Sequence, residues 1–223
     1  MKDFTLLIQG KIKKNTKHYI EQYLNQCDKI VVSCWEDDNT TDIESIQNVT
    51  VVKNRLPDLG LVKKWQFDQS ANYYYQIFST WVGLENVDTK YTIKLRSDEY
   101  YDLSLIYQTL KLNKHSIISS NIMTTPPTVS DHIFASETEI LLKCFRKLAV
   151  ELNSVHKPVG ILLDSPNKRV SIENTFTHLF NKMTNIIFVD YTNLGDYIIV
   201  ANNLNLRFTK GQKIPIHFAG VIQ

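Results

Sequence analysis

Four short apolar runs in the first hundred residues each stop abruptly at polar side chains, and this pattern restricts the fold more than any other feature of the chain. Residues 4–8 (FTLLI) end at Gln9-Gly10, residues 29–33 (KIVVS) open into 33–36, residues 49–53 (VTVVK) end at Asn54-Arg55, and residues 91–95 (YTIKL) run into Arg96-Ser97-Asp98-Glu99. Runs of this length, rich in β-branched residues and bounded by polar or turn residues, are buried strands. Between them lie segments of helical spacing: Tyr19, Ile20, Tyr23 and Leu24 within 16–25, and Phe67, Ala71, Tyr74, Ile77, Phe78 and Trp81 within 66–83. Strands alternating with helices predict an α/β fold, Rossmann-like, with a mostly parallel central sheet flanked by helices on both faces.

The second half continues less regularly. A strand is expected at 116–120, a loop with Pro126 and Pro127 at 124–131, a helix at 136–153, a loop at 164–168, a helix from 172, a strand at 186–189 and a last apolar stretch at 214–219. At 223 residues the chain fits one domain, with 1–103 and 104–223 as its two halves.

Composition narrows the function classes. Apolar residues make up 43% and charged residues 22%, which excludes a disordered or fibrous chain. A net charge of +2 is too small a bias for a nucleic-acid partner. Lys11, Lys13, Lys14 and Lys17 form a local basic run, either a solvated face or a surface for phosphate or anionic lipid, so peripheral membrane contact stays open. No apolar run reaches the roughly 18 residues of a membrane span, and residues 4–9 are too short for a signal-peptide core, so a cytoplasmic location is expected. Cys27, Cys34 and Cys144 have no metal-ligand spacing and read as reduced packing residues.

In parallel sheets ligands bind beyond the carboxyl ends of the strands, so Gln9, Gly10, Ser33, Glu36, Asn54, Arg96, Ser97 and Asp98 should converge on one cleft. Alternation puts Lys94 and Arg96 on one side of their strand, where both can face one anion. Asp98, in the turn beyond, suits a hard cation such as Mg²⁺ or Mn²⁺ that bridges phosphate oxygens. A departing diphosphate would be stabilised by such a metal with a guanidinium beside it. Read alone, the same turn is more simply a surface Arg–Asp pair worth about 0 to 1 kcal/mol. No P-loop, nucleophile elbow or dinucleotide glycine fingerprint is present.

The segments 4–12 (FTLLIQGKI), 29–36 (KIVVSCWE), 72–84 (NYYYQIFSTWVGL) and 90–98 (KYTIKLRSD), in this order and spacing, resemble the WavE family of lipopolysaccharide-type glycosyltransferases. Residues 130–134 (SDHIF) and 171–174 (SIEN) are similar to its later acidic segments. The resemblance implies a single-domain GT-A-like fold and transfer of a sugar from a nucleotide-diphosphate donor, with a UDP-sugar favoured, to a glycan or glycoconjugate acceptor. It makes 1–103 the half that binds donor and metal, and 104–223 the acceptor side. Asp98 takes the part of metal ligand, although the motif is Ser-Asp-Glu rather than a full Asp-X-Asp. His217 is a second candidate ligand, since GT-A-like enzymes often recruit one near the C-terminus. Gln9, Gly10, Ser33, Glu36, Asn54, Gln76, Lys94, Arg96 and Ser97 become donor contacts, and Gly10 lets the backbone approach closely.

An inverting transferase needs a base for the acceptor hydroxyl. Asp131, with His132 beside it, is the first candidate, and Glu173 the second; Asp131 would otherwise cap a turn at 133–136. Two other classes stay open: an inactive nucleotide- or carbohydrate-binding module, and a nucleotidyltransferase that attacks the α-phosphate.

Overall fold

The computed structural model describes residues 3–55, 68–122, 124, 127–154, 172–201 and 204–213. The sheet begins with β1 (Phe4–Gln9), buried along its whole length. It is flanked by β2 (Lys29–Trp35) and β4 (Tyr91–Arg96), both parallel to it, and β3 (Val49–Asn54) continues the parallel order beyond β2. Such continuous apolar runs belong to strands covered on both faces. The same sheet is completed by β6 (Ser116–Ser120), β7 (Ile133–Glu137) and β8 (Asn185–Val189), in the order β3-β2-β1-β4-β7-β6-β8. Only β7 runs against the rest, paired antiparallel to both β4 and β6.

Period-two alternation divides each strand between two cores. Leu6, Ile8, Ile30, Val32, Ile93 and Leu95 face one layer, with α1 (Thr16–Tyr23), α2 (Thr41–Glu44) and α4 (Ser104–Leu112). Leu7, Val31, Ile117 and Phe134 face the other, with α3 (Asp68–Leu84), α5 (Thr138–Ser154) and α6 (Ile172–Met183). Gly83 lets α3 lie close on the sheet, because a Cβ there would stand 2.5 Å from Leu7 Cδ1 and 2.9 Å from Ser33 Cβ. On the α1 side a small antiparallel sheet joins β5 (Tyr100–Tyr101), β9 (Tyr197–Ala201) and β10 (Leu204–Phe208), and Tyr101, Tyr197 and Phe208 stack in series.

The predicted α/β class and mostly parallel sheet are therefore present. One expectation is corrected: residues 133–136 are strand, not a turn leading into a helix, so Asp131 caps nothing there, and α5 starts at Thr138. The strand is hidden in the sequence because its residues are buried on both faces and it passes into the helix without a Gly or Pro. The three cysteines are buried, as packing residues should be. No helix of the described residues is long and apolar enough to cross a membrane.

Candidate active site

The carboxyl ends of β1 and β4 are tied to each other by short bonds. Ser97 N donates to Gln9 O at 3.0 Å, and Ser97 Oγ donates to Lys11 O at 2.6 Å. Thr16, at the start of α1, donates to Ser97 O at 2.8 Å. Gly10 turns the chain here with φ +119, a conformation that side chains other than glycine's rarely adopt. The register of β4 with β7 pairs Leu95 with Ile133. Continued past that pair, it sets His132 and Asp131 beside Arg96 and Ser97.

Six charged side chains meet at this junction. Arg96 holds Asp98 fork to fork, Nε to Oδ1 and Nη2 to Oδ2, both at 3.1 Å. It also lies 3.6 Å from Glu99 and 3.9 Å from Asp131. Lys94, fully buried against the Phe134 ring, donates to Asp131 O at 2.7 Å. His132 Nδ1 bonds Glu99 Oε1 at 2.7 Å, while its Nε2 stands 3.8 Å from Asp131 Oδ1. Glu99 is sealed from solvent, with Tyr101 donating to Oε2 at 2.6 Å and Tyr23 donating to its carbonyl at 3.3 Å.

The pairing outweighs the cost of burial for most of these groups. Burial works to raise the carboxyl groups of Asp98 and Asp131, yet the Arg96 charge holds Asp98 below its ordinary value, and His132, Arg96 and Lys94 do the same for Asp131. Burial disfavours the His132 imidazolium, but Glu99 and Asp131 raise it above 6.5. For Lys94 burial prevails, bringing the ammonium down to about 8.

Other expected site residues are placed differently. Gln9, Ser33 and Asn54 do come together, but their side chains are buried and bonded within the fold. Gln9 Nε2 donates to Ser79 Oγ at 2.9 Å, Ser33 Oγ to Ser79 O at 2.6 Å, and Asn54 Nδ2 to Ser33 Oγ at 2.9 Å. Glu36 is exposed at the end of β2. Gln76 lies near enough to Asp131 to help hold its carboxyl group down, and its Oε1 is buried with no hydrogen-bond partner among the described residues. Glu173 sits half-buried in the first turn of α6, with no ion pair or side-chain hydrogen bond to the cluster among the described residues. His217 lies outside the described residues. Trp35, at the end of β2, packs edge-on against Tyr75 at 5.3 Å and is buried. Tyr101 and Ser79 are participants that the sequence does not single out, and Glu99, legible there only as an alternative to Asp98 in the acidic motif, turns inward, since nothing in a Ser-Asp-Glu or Tyr-Tyr string says which residue does so.

A resident divalent cation needs several oxygen ligands free to face it. Both oxygens of Asp98 are taken by Arg96, both of Glu99 by His132 and Tyr101, and among the described residues no three His, Cys, Asp or Glu side chains gather as a metal site. In this arrangement the donor set does not fit such an ion.

Residues 6–140 match the family described as WavE lipopolysaccharide synthesis. No curated protein matches the chain. Solved structures with a similar fold include the apo form of glycosyltransferase GlyE from Streptococcus pneumoniae TIGR4, at 11% identity over 84% of this chain and 45% of that one, with a TM-score of 0.53. The chain thus spans a little under half the length of GlyE. The galactosyltransferase LgtC, solved with donor and acceptor sugar analogs, is 8% identical over 85% of this chain and 74% of that one, with a TM-score of 0.54. A glycosyltransferase involved in glycosylation of the major capsid of PBCV-1 is 14% identical over 86% and 83%, with a TM-score of 0.50. At these identities the likeness is one of fold, the GT-A fold of glycosyltransferases. Because the family match runs from β1 through the Asp98 turn and β7 into α5, the chain belongs to the WavE lipopolysaccharide synthesis family.

Proposed function

We propose that this protein transfers a sugar from a nucleotide-diphosphate donor, a UDP-sugar, to a hydroxyl of a glycan or glycoconjugate acceptor. The observation that carries the reading is the charged cluster of Arg96, Asp98, Asp131 and His132 at the carboxyl ends of β4 and β1, where an α/β sheet binds its ligand. The donor lies over residues 1–103 and the acceptor meets it from 104–223, the half that supplies Asp131. In the reaction the acceptor oxygen attacks the anomeric carbon, and the bond from that carbon to the β-phosphate oxygen breaks. The nucleoside diphosphate leaves with the electron pair. The hydroxyl proton goes to Asp131, whose depressed pKa keeps it deprotonated at neutral pH, as a base must be. Glu173 has no such place beside the cluster. The fit of the donor set leaves Mn²⁺ or Mg²⁺, expected from the sequence, without a step in this reading.

The test is calorimetry with a panel of nucleoside diphosphates and their sugars, followed by product analysis. Binding of one nucleotide and release of its diphosphate on addition of acceptor is the expected result. Release of pyrophosphate would replace the reading with nucleotidyl transfer, and binding without turnover would leave a silent binding module. A folded protein that binds nothing in the panel would sink it.

A further inference from the structure

The fold around Asp98 implies a division of labour different from the one its motif suggests. Arg96 presents two edges. One, Nε with Nη2, is closed by Asp98 in a bidentate pair. The other carries Nη1, which has no hydrogen bond among the described residues; Asp131 Oδ2 stands 3.9 Å away, beyond hydrogen-bond length, and the side chain retains 29% exposure. A planar guanidinium held by one edge is pre-organised to offer its remaining N–H groups to a second oxyanion, and phosphate suits that geometry. Charge balance points the same way. The carboxylates of Asp98, Glu99 and Asp131 face the cations of Lys94 and Arg96 and the His132 imidazole, so the negative charge of the cluster is already committed to groups of the protein itself.

We propose that Asp98 is a positioning residue for Arg96, and that the free edge of Arg96, rather than a protein-bound divalent ion, meets the diphosphate of the donor. The proposal rests on the transferase reading for the identity of the ligand, but the state of Asp98 can be measured without it. Arg96 stabilises the leaving diphosphate as the anomeric C–O bond lengthens, and no bond to the protein forms or breaks.

Two measurements decide the matter. The first is electron paramagnetic resonance of Mn²⁺ added to the protein alone. The free-ion signal should persist with wild type and diminish with Arg96→Gln, which releases the Asp98 carboxylate to bind the ion. Loss of signal with wild type, restored by Asp98→Asn, would overturn the proposal. The second is calorimetry of the bound nucleoside diphosphate in EDTA and in Mn²⁺. Equal affinity in both, a loss of at least tenfold in Arg96→Gln and partial recovery in Arg96→Lys are expected. Binding only in Mn²⁺, abolished by Asp98→Asn, would overturn it. Circular dichroism confirms that each variant is folded, and Arg96→Lys serves where the glutamine variant is not. If no nucleoside diphosphate binds under either condition, the transferase reading fails, and the Mn²⁺ signal still decides whether Asp98 belongs to Arg96.

Discussion

Glu99 is closed off from solvent yet touches Tyr101, His132 and Arg96, so its charge is felt by three neighbours at once. Removing one member of a buried, hydrogen-bonded charge set leaves the others uncompensated, which typically costs about 3 to 5 kcal/mol. Glu99→Ala should lose stability of that order in urea denaturation, and a loss below about 1 kcal/mol would contradict the geometry. His132 gives a prediction with a sign. Its folded-state pKa is raised, so above pH about 6.5 the folded protein holds a proton that the unfolded chain has released. The stabilisation is fully present below that pH and is lost as pH rises through the folded-state value. The stability gap between wild type and His132→Gln should therefore narrow as pH is raised from 6, and a gap that widens would refute the assignment. At this scale the sequence was partly legible: the strand mouth named Arg96 and Asp98, but which of their neighbours turn inward depends on Tyr23 and Tyr101, remote from any motif.

Element by element, the sequence revealed strands whose apolar runs end at polar residues, and obscured those that do not. The runs from residues 4, 29, 49 and 91 are each strands within a residue or two of the expected ends. β7 escaped because Ile133 and Ala135 serve one core and Phe134 the other, which erases alternation, and because Thr138 continues as helix without a breaker. β9 is the exception, an apolar run (197–201, YIIVA) that does end at polar Asn202-Asn203 and is not anticipated, its partner β5 being only two residues long and set directly after the charged turn. The packing of α3 makes its own prediction. Gly83→Ala forces a Cβ between Leu7 and Ser33, where overpacking costs about 1 to 3 kcal/mol. A lowered melting temperature is expected, and an unchanged one would mean that α3 stands further from the sheet.

Over the whole molecule, the basic run of the β1–α1 loop and the first turn of α1 stays on the surface, with Lys11, Lys13, Lys14 and Lys17 all exposed near the strand mouths. A lysine close to an anionic bilayer contributes about 1 kcal/mol. Wild type should sediment with phosphatidylglycerol vesicles at low salt and be released at high salt, and replacing all four lysines by Gln should weaken that association at least tenfold; equal sedimentation of the two proteins would show that the run is only a solvated face. The antiparallel β7 also bears on how the chain matures. During synthesis β4 is complete about forty residues before its neighbour β7 emerges, and a domain that folds as a unit cannot close its sheet until that missing strand is made. Until then β4 is an open sheet edge of apolar residues, the kind that recruits stray strands. The nascent chain is thus most exposed to aggregation just before Asp131 arrives, and the strand that ends that exposure is the one that delivers the proposed base.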